Sequence, residues 1–160
     1  MLNVCKQYAR NHEEAKDLLQ EGFMKVFKSL DKYDFQGSFE GWIRRIMVNN
    51  AINQYKKDSK SLTQYTENEN LENVSDQNIE IEEDDGIDIP PEQILELIQE
   101  LPPGYKMVFN LNIMEGYSHK AIAEMLNITE ATSRSNLSKA RVKLKERISQ
   151  LYNQKQMHYV

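Results

Sequence analysis

Apolar residues recur at three- and four-residue steps in two separate parts of this chain, and the pattern is lost between them. That step places apolar side chains along one face of an α-helix, whereas a half-buried strand needs strict alternation. No segment shows a convincing alternation. The spacing therefore predicts an all-α protein of two small helical domains joined by a linker.

The boundaries follow from where the helical spacing stops and resumes. We expect a first helical domain over residues 1–58, a flexible acidic linker over residues 59–90, a second helical domain over residues 91–152 and a tail over residues 153–160. The linker is mostly Asn, Glu, Asp, Gln and Ser, and so little apolar surface cannot offset the entropy lost on ordering.

Charge is divided along the same lines. Residues 1–66 hold 11 basic and 8 acidic residues, residues 67–100 hold no basic and 13 acidic residues, and residues 101–160 hold 9 basic and 4 acidic residues. Two basic segments separated by an acidic one indicate a nucleic-acid partner more than the pI of 5.3 suggests. We also expect the acidic segment to screen the basic faces until a partner separates them.

The sequence gives little support for a membrane protein, a secreted protein or a metalloprotein. No run approaches the roughly 20 apolar residues that span a bilayer, and residues 1–10 lack a signal peptide's apolar stretch. We therefore expect a cytoplasmic protein without membrane insertion. Cys5 cannot form an internal disulfide, and His12, His119 and His158 are too scattered for a metal site. We expect no cofactor, no metal and no enzymatic activity.

One spacing in the acidic segment invites a calcium site. With Gly86 at the sixth position of an EF-hand loop, Glu92 falls at the twelfth. Ile81, however, occupies the first position, where an oxygen ligand is needed, so we reject a calcium site.

The first domain combines a polar helix face with aromatic residues. Asn11 and Glu14 have the spacing of a capping box, and Ser38 is a good N-cap for a later helix. One face of that later helix carries Arg45, Asn49, Asn53 and Lys56, with Trp42 at its edge and Tyr33, Phe35, Phe39 and Tyr55 nearby. Cations, amides and aromatic rings together suit unpaired bases. An ordinary solvated helix face is the alternative, and we expect Phe35 and Phe39 in the core.

The second domain has the outline of a helix-turn-helix. Ser118 caps a short helix, residues 127–129 form a turn, and a longer helix follows with Leu137 on its core face. The opposite face carries Thr132, Ser135, Ser138 and Lys139, and the cations that surround it include Arg134 and Arg141. Small hydroxyl side chains permit close approach to a major groove, and cations bind phosphates or guanine edges. A basic solvated helix is the alternative, but the preceding helix and turn favour DNA.

Four segments, in this order, resemble one family, the extracytoplasmic-function (ECF) group of bacterial RNA polymerase sigma factors. They are residues 13–23, residues 37–46 with Asn49 and Asn53, residues 101–103 with residues 116–124, and residues 132–141. The first two resemble the family's region two, and the last two resemble its region four. The resemblance implies a sigma factor that binds core RNA polymerase and promoter DNA, with an anti-sigma factor as a further possible partner.

The resemblance also implies roles for individual residues. The polymerase-binding residues would be Asp17, Leu18, Gln20 and Glu21. The loop from Tyr33 to Ser38 would receive a flipped base of the minus-ten element. The separated strand would contact Tyr33, Phe35, Trp42, Arg45, Asn49, Asn53 and Lys56. The minus-thirty-five duplex would contact Thr132, Arg134, Ser135, Ser138, Lys139 and Arg141.

Several positions depart from the family's pattern. Val48 replaces a basic residue, Asn53 replaces an Asp, and Ser133 replaces an apolar residue. The family's first helix is mostly absent, from which we expect a late start or a truncation.

Three other functions remain open on the sequence. An autonomous, dimeric helix-turn-helix regulator would explain residues 101–150 but would leave the polar face of the first domain unused. A small hydrolase or metal enzyme would need a site assembled by folding from Glu and His. A structural adaptor would not need the basic recognition face.

Overall fold

The computed structural model describes residues 1–63 and 89–157. The chain divides into two compact units, Met1–Glu69 and Asn70–Val160. The described residues form seven α-helices and no strand, which confirms the all-α prediction. The greater part of the predicted linker, with the calcium spacing tested there, lies outside the described residues, so its flexibility stays a prediction.

The first unit is built from three helices, α1 (Leu2–Tyr8), α2 (His12–Lys28) and α3 (Phe39–Thr63), with a 3-10 turn at Leu30–Lys32. Helix α3 continues through the first five residues of the predicted linker. Each of the three helices packs against the other two. Their contacts bury Val4, Cys5, Tyr8, Ala9, Ala15, Leu18, Val26, Met47, Val48, Ala51 and Ile52.

Helix α2 begins where the capping pattern predicts. The Asn11 Oδ1 accepts a hydrogen bond from the backbone N–H of Glu14 at 2.8 Å. The Glu14 carboxylate turns back to the backbone N–H of Arg10, instead of that of Asn11. Arg10 in turn bonds Asp58 of α3 at 2.9 Å, and the Glu14 carboxylate raises the pKa of the Arg10 guanidinium. These polar contacts connect the start of α2 to the far part of α3.

The apolar residues of α2 are only partly buried. Ala15, Leu18 and Val26 lie in the core, whereas Phe27 is 73% exposed. Cys5 of α1 is buried, as its small apolar character predicts, and burial raises the pKa of its thiol.

The second unit holds α4 (Pro91–Gln99), α5 (Pro103–Phe109), α6 (His119–Leu126) and α7 (Glu130–Met157). A π-helical turn at Asn110–Met114 extends α5. Helices α4 and α5 both start with proline, which has no N–H to lose at a first helical position. Helix α7 continues through the first five residues of the predicted tail.

The core of the second unit is centred on α5, α6 and α7. It contains Leu97, Ile98, Leu101, Met107, Val108, Leu111, Ile122, Ala123, Leu126, Leu137 and Ala140. Ile94, which the spacing places on the inner face of α4, is instead exposed. No helix in the described part of the chain is both long and apolar enough to cross a bilayer.

Candidate nucleic-acid interfaces

Four aromatic side chains, of which two are exposed and two are half-buried, form a cluster at the start of α3. The Tyr33 ring centroid lies 5.1 Å from that of Phe35, 5.1 Å from that of Phe39 and 5.3 Å from that of Trp42. Phe39 and Trp42 stack with centroids 5.8 Å apart. We call Tyr33, Phe35, Phe39 and Trp42 the aromatic cluster.

The expectation that Phe35 and Phe39 belong to the core is wrong. Phe35 is 87% exposed and Phe39 is 44% exposed. Their rings pack on Tyr33 and, for Phe39, on Trp42. The cluster therefore presents π surface to solvent at the place where the sequence predicts base capture.

The loop that carries Phe35 is held by its own hydrogen bonds. The Tyr33 hydroxyl donates to the Gly37 carbonyl at 3.1 Å, and the Asp34 carboxylate accepts from the Gln36 N–H at 3.0 Å. Phe35 has φ +58° and Gly37 has φ +83°. A left-handed conformation suits glycine, but it is costly for a bulky aromatic residue. The backbone thus holds Phe35 in a strained conformation while its ring projects into solvent.

The polar face predicted for α3 lies where the periodicity places it. Arg45, Asn49 and Asn53 are exposed, and Lys56 and Trp42 are half-buried. Trp42 connects this polar face to the aromatic cluster, since it belongs to both. Rings, amides and cations thus follow one another along a single helix, which is the set of groups that holds a single strand.

The predicted polymerase-binding residues line a groove of about 770 Å³ beside α2. Asp17, Gln20 and Glu21 are exposed there, whereas Leu18 is only 5% exposed. Leu18 packs in the helical core, so it borders the groove and does not project from it. Met24, which no sequence motif indicates, is exposed in the same groove and supplies apolar surface.

The helix-turn-helix has the Ser118 cap and the turn that its sequence predicts, and Thr129 adds a second cap. The Ser118 Oγ accepts from the Ala121 N–H at 3.2 Å, and Asn127 ends α6 in the left-handed conformation. The Thr129 Oγ1 accepts from the Thr132 N–H at 3.0 Å, which caps α7. Asn tolerates the left-handed region better than most residues, so the turn has a local cause.

The predicted recognition residues are accessible on α7. Buried positions at Ser133, Leu137 and Ala140 follow three- and four-residue steps and mark the inner face of the helix. Between them, Arg134 and Arg141 are exposed, and Thr132, Ser135, Ser138 and Lys139 are half-buried. Arg134 forms an ion pair with Glu130 at 3.0 Å on the helix surface. The accessible face thus combines hydroxyls with cations, as a major groove requires.

One polar contact within this motif was not predicted. Ser133 is fully buried, and its Oγ lies 2.8 Å from the Nδ1 of His119. The contact joins the first residue of α6 to the first turn of α7. The only sequence signal was that a hydroxyl stands where the resembling family has an apolar residue.

Within the described ranges, 1–63 and 89–157, no three His, Cys, Asp or Glu side chains come together as metal ligands.

Comparisons with known proteins agree with this architecture. The family model for sigma-70 region 2 matches residues 1–61, and the model for sigma-70 region 4 matches residues 91–144. Together the two models cover most of the chain, one on each unit.

Individual relatives carry the same family name. The ECF RNA polymerase sigma factor SigW of Bacillus subtilis is 25% identical over 157 residues, which cover 92% of this chain and 82% of that protein. The ECF RNA polymerase sigma-E factor of Escherichia coli is 28% identical over 142 residues, covering 84% of this chain and 74% of that protein. SigE of Mycolicibacterium smegmatis is 27% identical over 140 residues, covering 85% of this chain but only 52% of that protein.

A solved structure is similar in fold. It is the sigma factor RpoE of Bartonella quintana in complex with the anti-sigma factor NepR. The TM-score is 0.51 at 18% identity, and the match covers 91% of this chain and 88% of that chain. At this identity the likeness concerns the fold alone.

Proposed function

We propose that the two units of this chain bind different parts of a promoter. The chain belongs to the ECF group of bacterial RNA polymerase sigma factors and has their role in promoter-specific transcription. The first unit captures the separated minus-ten strand, and the second anchors on the closed minus-thirty-five duplex. Core RNA polymerase binds the chain and holds both units on the promoter. The observation that carries the proposal is the aromatic cluster, which is continuous with the polar face of α3.

Strand capture addresses the main energetic problem, which is to open DNA without a motor. Removing a base from the stack costs a few kcal/mol, and an aromatic platform returns roughly 1 to 3 kcal/mol per base. One or two captured bases therefore nearly balance the opening, and polymerase contacts supply the remainder. In this proposal the aromatic cluster receives a base, while Arg45, Asn49, Asn53 and Lys56 hold the strand that follows.

Helix α2 is the proposed polymerase-binding element. Asp17, Gln20 and Glu21 offer carboxylates and an amide in the groove, and Met24 adds exposed apolar surface. Leu18 supports this surface from the core. The proposed partners are the clamp helices of the largest polymerase subunit.

Helix α7 is the proposed duplex-binding element. Its hydroxyls at Thr132, Ser135 and Ser138 permit close approach to base edges, and its cations at Arg134, Lys139 and Arg141 pair with phosphates or guanine. This role is one of binding, so the chain acts as a specificity subunit and not as a catalyst. Because core RNA polymerase and promoter DNA are cytoplasmic, the chain would act in the cytoplasm. An anti-sigma factor is a further proposed partner.

The two sites have to be reached together. Two turns of duplex separate the promoter elements by roughly 70 Å, whereas a coil of the linker's length would average about 30 to 35 Å. The proposal therefore requires polymerase to set the two units apart on DNA. The free chain should bind promoters weakly.

The alternative is an autonomous, dimeric helix-turn-helix regulator. It leaves the aromatic cluster and the polar face of α3 without a role, which is why we favour the sigma factor. A stable dimer that protects palindromic DNA without polymerase would favour the alternative.

Reconstitution with bacterial core polymerase tests the proposal. Run-off transcription on a promoter library should require the chain, and Asn49→Ala and Arg134→Ala should each reduce it. Lys57→Ala on α3 and Ser149→Ala on α7 are exposed controls outside the proposed sites and should retain activity. Failure of the wild-type chain to direct any initiation would contradict the proposal.

A further inference from the structure

The contact between His119 and Ser133 lies directly behind the proposed recognition face. Ser133 is fully buried, and its two neighbours in sequence, Thr132 and Arg134, are both accessible on that face. The Ser133 Oγ lies 2.8 Å from the His119 Nδ1, a distance typical of a good hydrogen bond. His119 is the first residue of α6, and Ser133 lies in the first turn of α7.

Apolar contacts also join α6 to α7. Ile122, Ala123 and Leu126 of α6 and Leu137 of α7 are buried apolar residues. Apolar burial stabilises the pair of helices but has no directional preference. A hydrogen bond between side chains does have one, because it weakens steeply when its geometry is lost. The His119–Ser133 contact can therefore fix the rotation of α7 about its axis, which apolar packing leaves less defined.

Rotation of α7 matters because base reading tolerates little error. A binding constellation must be held within about 0.5 Å and 10–20° of its productive geometry. Phosphate contacts by long, flexible cations are more forgiving, and they carry no sequence information directly. An error in helix rotation would therefore reduce sequence preference before it reduces overall attraction to DNA.

We propose that His119 and Ser133 are positioning residues that set the angle of the recognition helix and thereby the selectivity for the minus-thirty-five element. The inference rests on the proposed function, since it presumes that α7 reads duplex DNA. It adds that selectivity depends on a hydrogen bond behind the recognition face, between a buried serine and a half-buried histidine.

The test uses the full chain reconstituted with core polymerase. A promoter is first selected from a randomised library by the wild-type holoenzyme, and a second version has its minus-thirty-five element scrambled. Affinity for both DNAs is measured for the wild type, Ser133→Ala, Ser133→Cys and His119→Leu. Cysteine keeps the shape of serine with a larger sulfur atom and bonds only weakly, so Ser133→Cys weakens the hydrogen bond without leaving a cavity. Ser149→Ala is the matched control, an exposed serine on the same helix.

Each of the three variants should lose about fivefold in affinity for the selected promoter, which is ~1 kcal/mol and the usual net value of one hydrogen bond. The affinity of each variant for the scrambled promoter should stay within about twofold of the wild-type value. The ratio of the affinity for the selected promoter to that for the scrambled promoter therefore falls. The double variant of Ser133→Ala with His119→Leu should be no worse than either single variant. His119→Asn, whose amide places a polar atom near the position of Nδ1, should restore the ratio.

The outcomes distinguish failure of the proposed function from failure of the inference about His119 and Ser133. If the wild-type holoenzyme selects no promoter, the proposed function and this inference both fail. If the wild type prefers its selected promoter and Ser133→Cys keeps the full ratio, only the inference fails. A parallel loss on both DNAs, without rescue by His119→Asn, would assign the pair a purely structural role and overturn the inference as well.

Discussion

The Asn50 side chain of α3 donates a hydrogen bond from Nδ2 to the backbone carbonyl of Leu18 on α2, at 3.1 Å. Asn50 is buried and also accepts from the Lys25 Nζ. Its neighbour Asn49 faces solvent on the proposed strand-binding face, and Leu18 follows Asp17 in the groove beside α2. One buried amide therefore connects the helix proposed to bind polymerase with the helix proposed to hold DNA.

Replacing Asn50 by alanine should destabilise the first unit. The change removes two hydrogen bonds from a buried position, and a loss of this kind costs roughly 1 to 3 kcal/mol. Trp42 is the chain's single tryptophan and lies in the first unit, so urea unfolding followed by its fluorescence reports that unit. Asn53→Ala, at an exposed position on the same helix, should change the free energy of unfolding by about 0.5 kcal/mol or less. Equal effects of the two substitutions would contradict this role for Asn50.

Gly22→Ala should also destabilise the first unit. A Cβ at Gly22 would overlap the Met47 Sδ and lie 3.0 Å from its Cε. Overpacking of this kind typically costs about 1 to 3 kcal/mol, and buried Met47 has little room to move aside. Alanine recovers about 0.5 to 1 kcal/mol over glycine inside a helix, so the net loss should be smaller than the overpacking cost. Shortening Met47 to alanine should relieve the overlap, so the double variant should lose less stability than the sum of the two single variants. Simple additivity in the same fluorescence assay would show that the two side chains do not compete for space.

Phe35→Gly should separate stability from strand capture. Glycine relieves the left-handed strain, worth about 1 to 2 kcal/mol, but it costs about 0.5 to 1 kcal/mol in backbone entropy. The free energy of unfolding should therefore stay level or rise slightly. Opening of the minus-ten element by the holoenzyme should fall about tenfold, in line with the loss of a stacking platform. A 2-aminopurine base in that element reports the opening, and unchanged fluorescence would contradict a stacking role for Phe35.

Arg134→Ala should weaken DNA binding without unfolding the second unit. Its ion pair with Glu130 is on the surface, where such pairs contribute about 0 to 1 kcal/mol. If Arg134 binds a phosphate, the slope of log affinity against log salt should fall by about 0.9. If it reads a base, a single promoter position should lose its preference by about 1 to 3 kcal/mol. Affinities measured over a range of salt concentrations on single-base promoter variants distinguish these results. If neither the salt slope nor the base preference changes, Arg134 does not belong to the interface.

Much of the local structure could be predicted because its signals are short-range. The caps at Asn11 and Ser118 depend on a side chain and an N–H three residues away. The turn at Asn127 likewise follows from one residue's tolerance of the left-handed region. Such contacts can be predicted because both partners lie within a few residues of each other in the sequence.

Features that depend on tertiary packing could not be predicted in the same way. Hydrophobicity placed Phe35 and Phe39 in the core, but it cannot tell a ring that packs among helices from one that packs on other rings at an edge. The partner of Ser133 lies fourteen residues away on another helix, so no local pattern identifies it.

Promoter binding measured with and without core polymerase tests whether the chain acts as a polymerase subunit. We expect that the purified chain joins the core enzyme, and that only this complex protects the minus-ten and minus-thirty-five elements together and opens the first of them. The chain alone should bind the same DNA weakly. Nanomolar promoter binding by the free chain, or failure to associate with core polymerase, would contradict the account.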